Sequence, residues 1–187
     1  KIGPILEPYI GKLKPSLLRK ATDAAFKEHY EYQQRLKEEG QNIIDAARIE
    51  GKMIVVLAGR PYHIDPEVTH GIDRLISDFD VAVVSEDSID IEENSYSVNV
   101  LDQWTYHSRL YGAAEEVGRQ DDMHLVQLVS FGCGLDAITS DEVRDILEHN
   151  NKMYTQIKID EITNLGAVKI RFRSLLSAIE QQKGGQK

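Results

Sequence analysis

Cysteine is nearly missing from this chain: among 187 residues, Cys133 alone carries a thiol. No internal disulfide can form and no Cys-x-x-Cys pair exists, which fits a reducing compartment. Positive charge is also short. Lys and Arg number 22 against 31 Asp and Glu, a net charge of −9, which disfavours nucleic acid and anionic membrane surfaces as partners. No apolar run approaches the roughly 20 residues that span a bilayer, and no secretory signal is visible. Gly-x-Gly-x-x-Gly and the P-loop are both absent, so nothing marks a dinucleotide or NTP site. Sequence repeats of solenoid type are lacking as well.

What is present is globular. Hydrophobic residues make up 41% and charged residues 28%, enough for one domain with a sizeable core. The chain opens on Lys1, without methionine, which is the expectation for a piece of a longer polypeptide. Residues 1–12, with Gly3, Pro4, Pro8 and Gly11, read as an irregular connector. Pro15 to Glu50 reads as helix, with Gly40 as a point where it splits in two and Gly51 as its C-cap.

The stretch Met53 to Pro66 then sets the pattern for the rest. Met53 to Leu57 is an apolar run too short for a buried helix, and it reads as a central parallel strand covered on both faces. Gly59, Arg60 and Pro61 form the turn, and Asp65-Pro66 reads as N-cap and first residue of a helix over about 66–79. Further strands are predicted at 81–84, about 124–129 and about 155–159. Helices follow at about 105–118, up to His149, and at about 165–182. Thr139 and Glu142 have the spacing of a capping box for the helix that runs to about His149. Strands alternating with helices predict a Rossmann-like α/β fold: an open, parallel, four-stranded sheet with helices on both faces, plus the leading N-terminal helix. The most apolar strand belongs inside, giving the order 2-1-3-4. Residues 1–50 are then connector and N-terminal helix packed on the domain, 51–182 the α/β domain, and 183–187 a fraying tail.

In such sheets ligands bind outside the carboxyl ends of the strands. The loops delivered there are Gly59-Arg60-Pro61-Tyr62-His63, Ser85-Glu86-Asp87, Gly132-Cys133-Gly134 with Asp136, and Asp160-Glu161 with Asn164. Arginine beside a glycine suits an anionic group; it equally suits an ion pair with a neighbouring strand-end carboxylate, with His63 a satisfied polar group. Cys133 is either an accessible soft ligand for iron–sulfur or zinc, or a buried inert thiol. A Cys–His pair with His63, His70 or His107 is a further reading. Asp160 and Glu161 are either paired carboxylates for acid–base work or helix-capping and arginine-pairing groups. Lys169, Arg171 and Arg173 read as surface charges.

Several stretches taken together carry more. Gly-Arg-Pro-Tyr-His (59–63), Trp-Thr-Tyr-His-Ser-Arg-Leu-Tyr (104–111), Ser-Phe-Gly-Cys-Gly-Leu-Asp-Ala (130–137), Lys-Ile-Asp-Glu-Ile (158–162) and Gly-Ala-Val-Lys-Ile-Arg-Phe-Arg-Ser-Leu (166–175) resemble the D-component of 2-hydroxyglutaryl-CoA dehydratase. The version closest to them is that found in large CoA-substrate-specific enzyme activases. The resemblance spans about residues 50–182. It implies a cytoplasmic, oxygen-sensitive protein of anaerobic bacteria, in which an ATP-dependent activase passes an electron to the dehydratase-like component. That component holds a four-iron four-sulfur cluster and dehydrates a 2-hydroxyacyl-CoA through a ketyl radical. Carried onto this chain, Cys133 would be a cluster ligand. Gly59, Arg60, His63 and Asp160 would then stand on the rim of the cluster or acyl-CoA pocket. The chain has one cysteine where a cluster takes several, and it lacks the activase's ATP motifs. The resemblance therefore implies a single domain that works with other domains or with an activase, and the alternative is a non-catalytic scaffold or docking domain.

Overall fold

The computed structural model describes residues 2–92, 95–130, 134–159 and 165–185. In chain order the elements are α1 (Gly3–Ile10), α2 (Pro15–Ile49), β1 (Ile54–Ala58), a single 3-10 turn (Pro61–Ile64), α3 (Pro66–Thr69), α4 (Ile72–Ser77), β2 (Ala82–Ser85), α5 (Thr105–Arg119), β3 (Met123–Val129), α6 (Gly134–His149), β4 (Thr155–Lys158) and α7 (Leu165–Gly185). The sheet is parallel with the order β2-β1-β3-β4. Val55 pairs with Val83 on one side and with His124 on the other, and Leu128 pairs with Ile157. This is the α/β sheet that the apolar runs predict, in the predicted strand order.

Burial on both faces explains why β1 and β3 are central. A strand sends alternate side chains to opposite faces. Ile54, Val56 and Ala58 of β1 and Met123 and Leu125 of β3 enter one core, closed by Ile44 and Ala47 of α2, Leu110, Ala114 and Val117 of α5, and Val143 and Leu147 of α6. Val55, Leu57, Val126 and Leu128 enter the other, closed by Ile72 and Ile76 of α4 and by Val168, Phe172, Leu175 and Ile179 of α7. All five residues of β1 and all seven of β3 are buried, whereas β2 and β4, at the edges, are only partly so.

Four local expectations change. Residues 3–10 are helical, not irregular: Pro4 lies in the first turn, where its missing amide costs nothing, although Pro8 sits inside the helix. Gly40 does not split α2. The helix runs unbroken through it, and the glycine serves close approach instead: the Ser88 backbone lies against it, and a Cβ there would fall 2.1 Å from the Ser88 carbonyl oxygen. The single helix expected at 66–79 is two short ones, because His70 and Gly71 both take left-handed backbone, at φ 51° and 81°. The capping box does not form. Residues Thr139 and Glu142 lie inside α6, which starts at Gly134; the Thr139 hydroxyl donates to the Leu135 carbonyl, and Glu142 accepts from the Asn99 amide. Gly51, at φ 67°, does end α2.

Candidate functional site

The chain leaves β1 toward β2 on one side of the sheet and later returns to lay β3 on the other. Between the carboxyl ends of β1 and β3 this reversal opens a crevice, the place where open α/β sheets take ligands. The loop after β1 and the start of α6 form its two sides.

Gly59 comes first. A Cβ there would lie 2.6 Å from His63 Nδ1 and 3.1 Å from the Leu128 carbonyl oxygen, so only glycine lets the His63 ring fold back over the strand end. The Arg60 amide donates to His63 Nδ1 at 3.0 Å. That leaves the proton on Nε2, which donates to Ser130 Oγ at 2.7 Å. The Tyr62 hydroxyl lies 3.1 Å from the same Ser130 oxygen. His63 is 1% exposed. Burial pushes its pKa below the ordinary imidazole value; Asp136 opposes the shift and Arg60 adds to it. The result is a neutral imidazole that ties the β1 loop to the end of β3.

Arg60 reaches across the crevice. Its Nη2 donates to Asp136 Oδ1 at 2.5 Å. Asp136 stands in the first turn of the 16-residue α6, where the helix dipole favours a carboxylate. Its other oxygen, Oδ2, is buried and has no partner among the described residues. From α5 comes His107, also buried, with Nε2 unpartnered among the described residues. Burial pushes the His107 pKa down, with Arg60 helping and Asp136 and Asp102 opposing. Trp104 stands edge-on to the His107 ring, at 6.2 Å between centroids. Together Arg60, Tyr62, Trp104, Tyr106, His107 and Leu135 line a cavity of about 540 Å³, within the size range of small-molecule sites. Its walls are mostly aromatic and apolar, with one arginine and one neutral imidazole set into them.

Gly59, Arg60 and His63 thus meet at one rim. Arg60 makes the ion pair with a strand-end carboxylate that the sequence allowed, and the carboxylate is Asp136. Cys133 and Asp160 lie outside the described residues, as do Glu161 and Asn164 and any Cys–His pairing. Residue His70 forms the left-handed turn between α3 and α4. Lys169, Arg171 and Arg173 are exposed, as expected; Arg171 donates to the Gln156 carbonyl, and Arg173 lies over the Phe79 ring.

The burial of Glu86 has no forecast in the sequence. Glu86, in the acidic turn delivered at the strand ends, is 1% exposed and accepts from Arg109 Nη2 at 2.6 Å. Burial lifts its carboxyl to about 7 even though Arg109 pulls the other way. Its partner Arg109 stands on α5, which packs on β1 and β3.

The fold and the crevice define an α/β domain with a ligand-sized site at its strand-order reversal. Residues 5–89 match the family model of the CoA enzyme activase uncharacterised domain (DUF2229), which supports a CoA-substrate activase-like domain. The match runs from within α1 through β2 and takes in the residues Gly59, Arg60, His63 and Glu86. No curated protein and no solved structure matches the chain. No helix among the described residues is long and apolar enough to cross a membrane.

Proposed function

We propose that this chain is one α/β domain of a CoA-handling, activase-type cytoplasmic protein, and that the crevice between β1 and β3 forms part of an acyl-CoA pocket. The observation that carries this reading is the Arg60–Asp136 pair beneath the aromatic cavity of about 540 Å³; of these residues Arg60 and Tyr62 lie within the stretch that matches a CoA enzyme activase domain, and the others lie beyond it. The cavity offers an apolar, aromatic wall to an acyl or pantetheine chain. Arg60 offers donors to a carbonyl, carboxylate or phosphate oxygen. A 2-hydroxyacyl-CoA is the substrate class that the motif resemblance favours.

An iron–sulfur cluster is the cofactor implied by the same resemblance. A four-iron cluster takes four thiolates or their equivalents. The chain has one cysteine, and among the described residues no group of three or more His, Cys, Asp or Glu is placed to hold a metal. The residues present do not by themselves fit a cluster. Cys133 is proposed as one ligand of a set completed by residues beyond these 187, and no chemical step is assigned to it here.

Titration with CoA and short 2-hydroxyacyl-CoA thioesters tests the pocket. Saturable binding that weakens at least tenfold in Arg60→Ala supports it; binding that survives Arg60→Ala and Trp104→Ala unchanged overturns it. For Cys133, iron and sulfide content of the longer polypeptide with and without Cys133→Ser is the measure, and an unchanged iron count removes the cysteine from the ligand set. A docking role without chemistry is favoured by one observation: residues 19–30 of α2 are all exposed. Absence of any CoA-ester binding, together with capture of an ATP-dependent activase or a sister domain through α2, decides for that role.

A further inference from the structure

Helices α4 and α7 close the second core together, through Ile72 and Ile76 on one and Val168 and Phe172 on the other. Outside that contact they leave a groove of about 490 Å³, on the sheet face opposite the one that carries α5 and α6. Leu75, Phe79 and Leu165 give the groove apolar surface. Arg74, Lys169 and Arg173 line it with positive charge, against the single carboxylate of Asp78. That local balance runs against the chain as a whole, whose net charge is −9.

These cations are also uncommitted. Eight arginines follow residue 47. Carboxylates hold Arg48, Arg60, Arg109, Arg119 and Arg144, and the Gln156 carbonyl holds Arg171. The two left without a hydrogen bond or ion pair among the described residues are Arg74 and Arg173, and both line this groove. Lys169 has no such partner either. The Arg173 guanidinium lies 5.7 Å from the centroid of the Phe79 ring, a contact that steadies it without using its hydrogen-bonding capacity on an acceptor. Leu165 and Lys169 belong to the first two turns of the 21-residue α7, where the helix dipole adds positive potential. Like charges gathered in one groove repel, and a bound anion relieves that repulsion.

We propose that the groove between α4 and α7 binds a phosphate monoester. Its two negative charges and several oxygens match two guanidinium forks and one ammonium, whereas a lone carboxylate would leave cations unmatched. The apolar surface beside the cations can cover the body that carries the phosphate. Free phosphate and a nucleoside phosphate share this chemistry. The site is separate from the crevice at Arg60 and stands independently of the acyl-CoA reading.

Amide NMR titration of the 187-residue protein at low salt, with inorganic phosphate, adenosine 5′-monophosphate and adenosine, is the test. Saturable shifts centred on residues 71–79 and 165–173 are expected with a phosphate-bearing ligand and not with adenosine. The affinity should fall at least tenfold in the double variant Arg74→Gln/Arg173→Gln, and should weaken as salt screens the exposed cations. A nucleotide at least tenfold tighter than inorganic phosphate upholds the site as one for nucleoside phosphates; equal affinities uphold it as one for free phosphate. Failure of both to saturate by about 10 mM overturns the proposal. So does adenosine binding as tightly as its monophosphate, or an affinity indifferent to the double variant. Loss of binding in Arg60→Ala in place of the double variant assigns the anion to the crevice and also overturns it. All three cations are exposed, so their replacement leaves the core untouched. Should the double variant nevertheless fail to fold, Lys169→Gln takes its place: it keeps the contact of Arg173 with Phe79 and lowers the affinity severalfold, and an affinity unmoved by it counts against the site.

Discussion

Glu86 shows how a single side chain can dominate a pH response. Its carboxyl, with Arg109 and Asp87 as its charged neighbours, is lifted by burial to about 7 from an ordinary 4.5. The folded protein therefore holds a proton there that the unfolded chain has already released, and stability falls as pH rises from about 4.5 to about 7, then levels off. Glu86→Gln cannot titrate. Unfolding free energies from urea titrations at pH 5 and pH 7.5 should thus differ more in the wild type than in the variant, by an amount on the order of 2 kcal/mol at about 1.4 kcal/mol per unit. At the other rim, Gly59→Ala drives a methyl into His63 Nδ1. It should destabilise by about 1–3 kcal/mol and raise the His63 pKa toward its ordinary value, seen in the ring resonances. The two residues differ in how legible they were. Arg60 and its glycine follow an apolar run and so announce a strand-end loop. Glu86 reads as part of an acidic strand-end turn with nothing to mark it as buried, and the arginine paired with it stands 23 positions later. Nothing local tells of such a partner.

At the scale of the element, α2 is two objects in one helix. Of its 35 residues only Gly40, Ile44 and Ala47 are buried, and Arg48 is tied to Asp122 at 2.8 Å. Upstream, residues 19–30 are exposed throughout. Amide exchange should follow that division, with residues 19–30 exchanging orders of magnitude faster than 41–49. Gly40→Ala tests the junction. Alanine improves helix propensity by about 1 kcal/mol, but its methyl meets the Ser88 backbone; the net change should be destabilising by about 1–3 kcal/mol, read by denaturant unfolding. Helix propensity and spacing made α2 legible and located α5 and α7. They misjudged Gly40 because a glycine kept for close approach looks, in sequence, like a glycine that breaks. They also misjudged the 66–79 segment, whose apolar stripe continues across a left-handed turn.

For the whole molecule the decisive fact is that β1 and β3 are covered on both faces. The apolar run of β1 marked it as an inner strand and pointed to the order 2-1-3-4; β3, interrupted by His124 and Gln127, carries no such mark of its own. The run was not enough to give the site, because the crevice needs side chains from four separate segments, 59–63, 104–107, 130 and 135–136, whose meeting is a product of the crossovers. The second core turns on Phe172, which is fully buried against Phe79 at 5.2 Å. Phe172→Ala should cost about 3–5 kcal/mol and lower the midpoint of a single cooperative transition without altering the ion pair at Arg60.

The contact of Gly40 with Ser88 also makes α2 a lever. At about 1.5 Å per residue, the helix from that fulcrum back to Pro15 reaches about 38 Å. A tilt of only a few degrees at the pivot therefore sweeps the free end through several ångströms, and an event too small to notice beside the sheet becomes a displacement that a neighbouring molecule can feel.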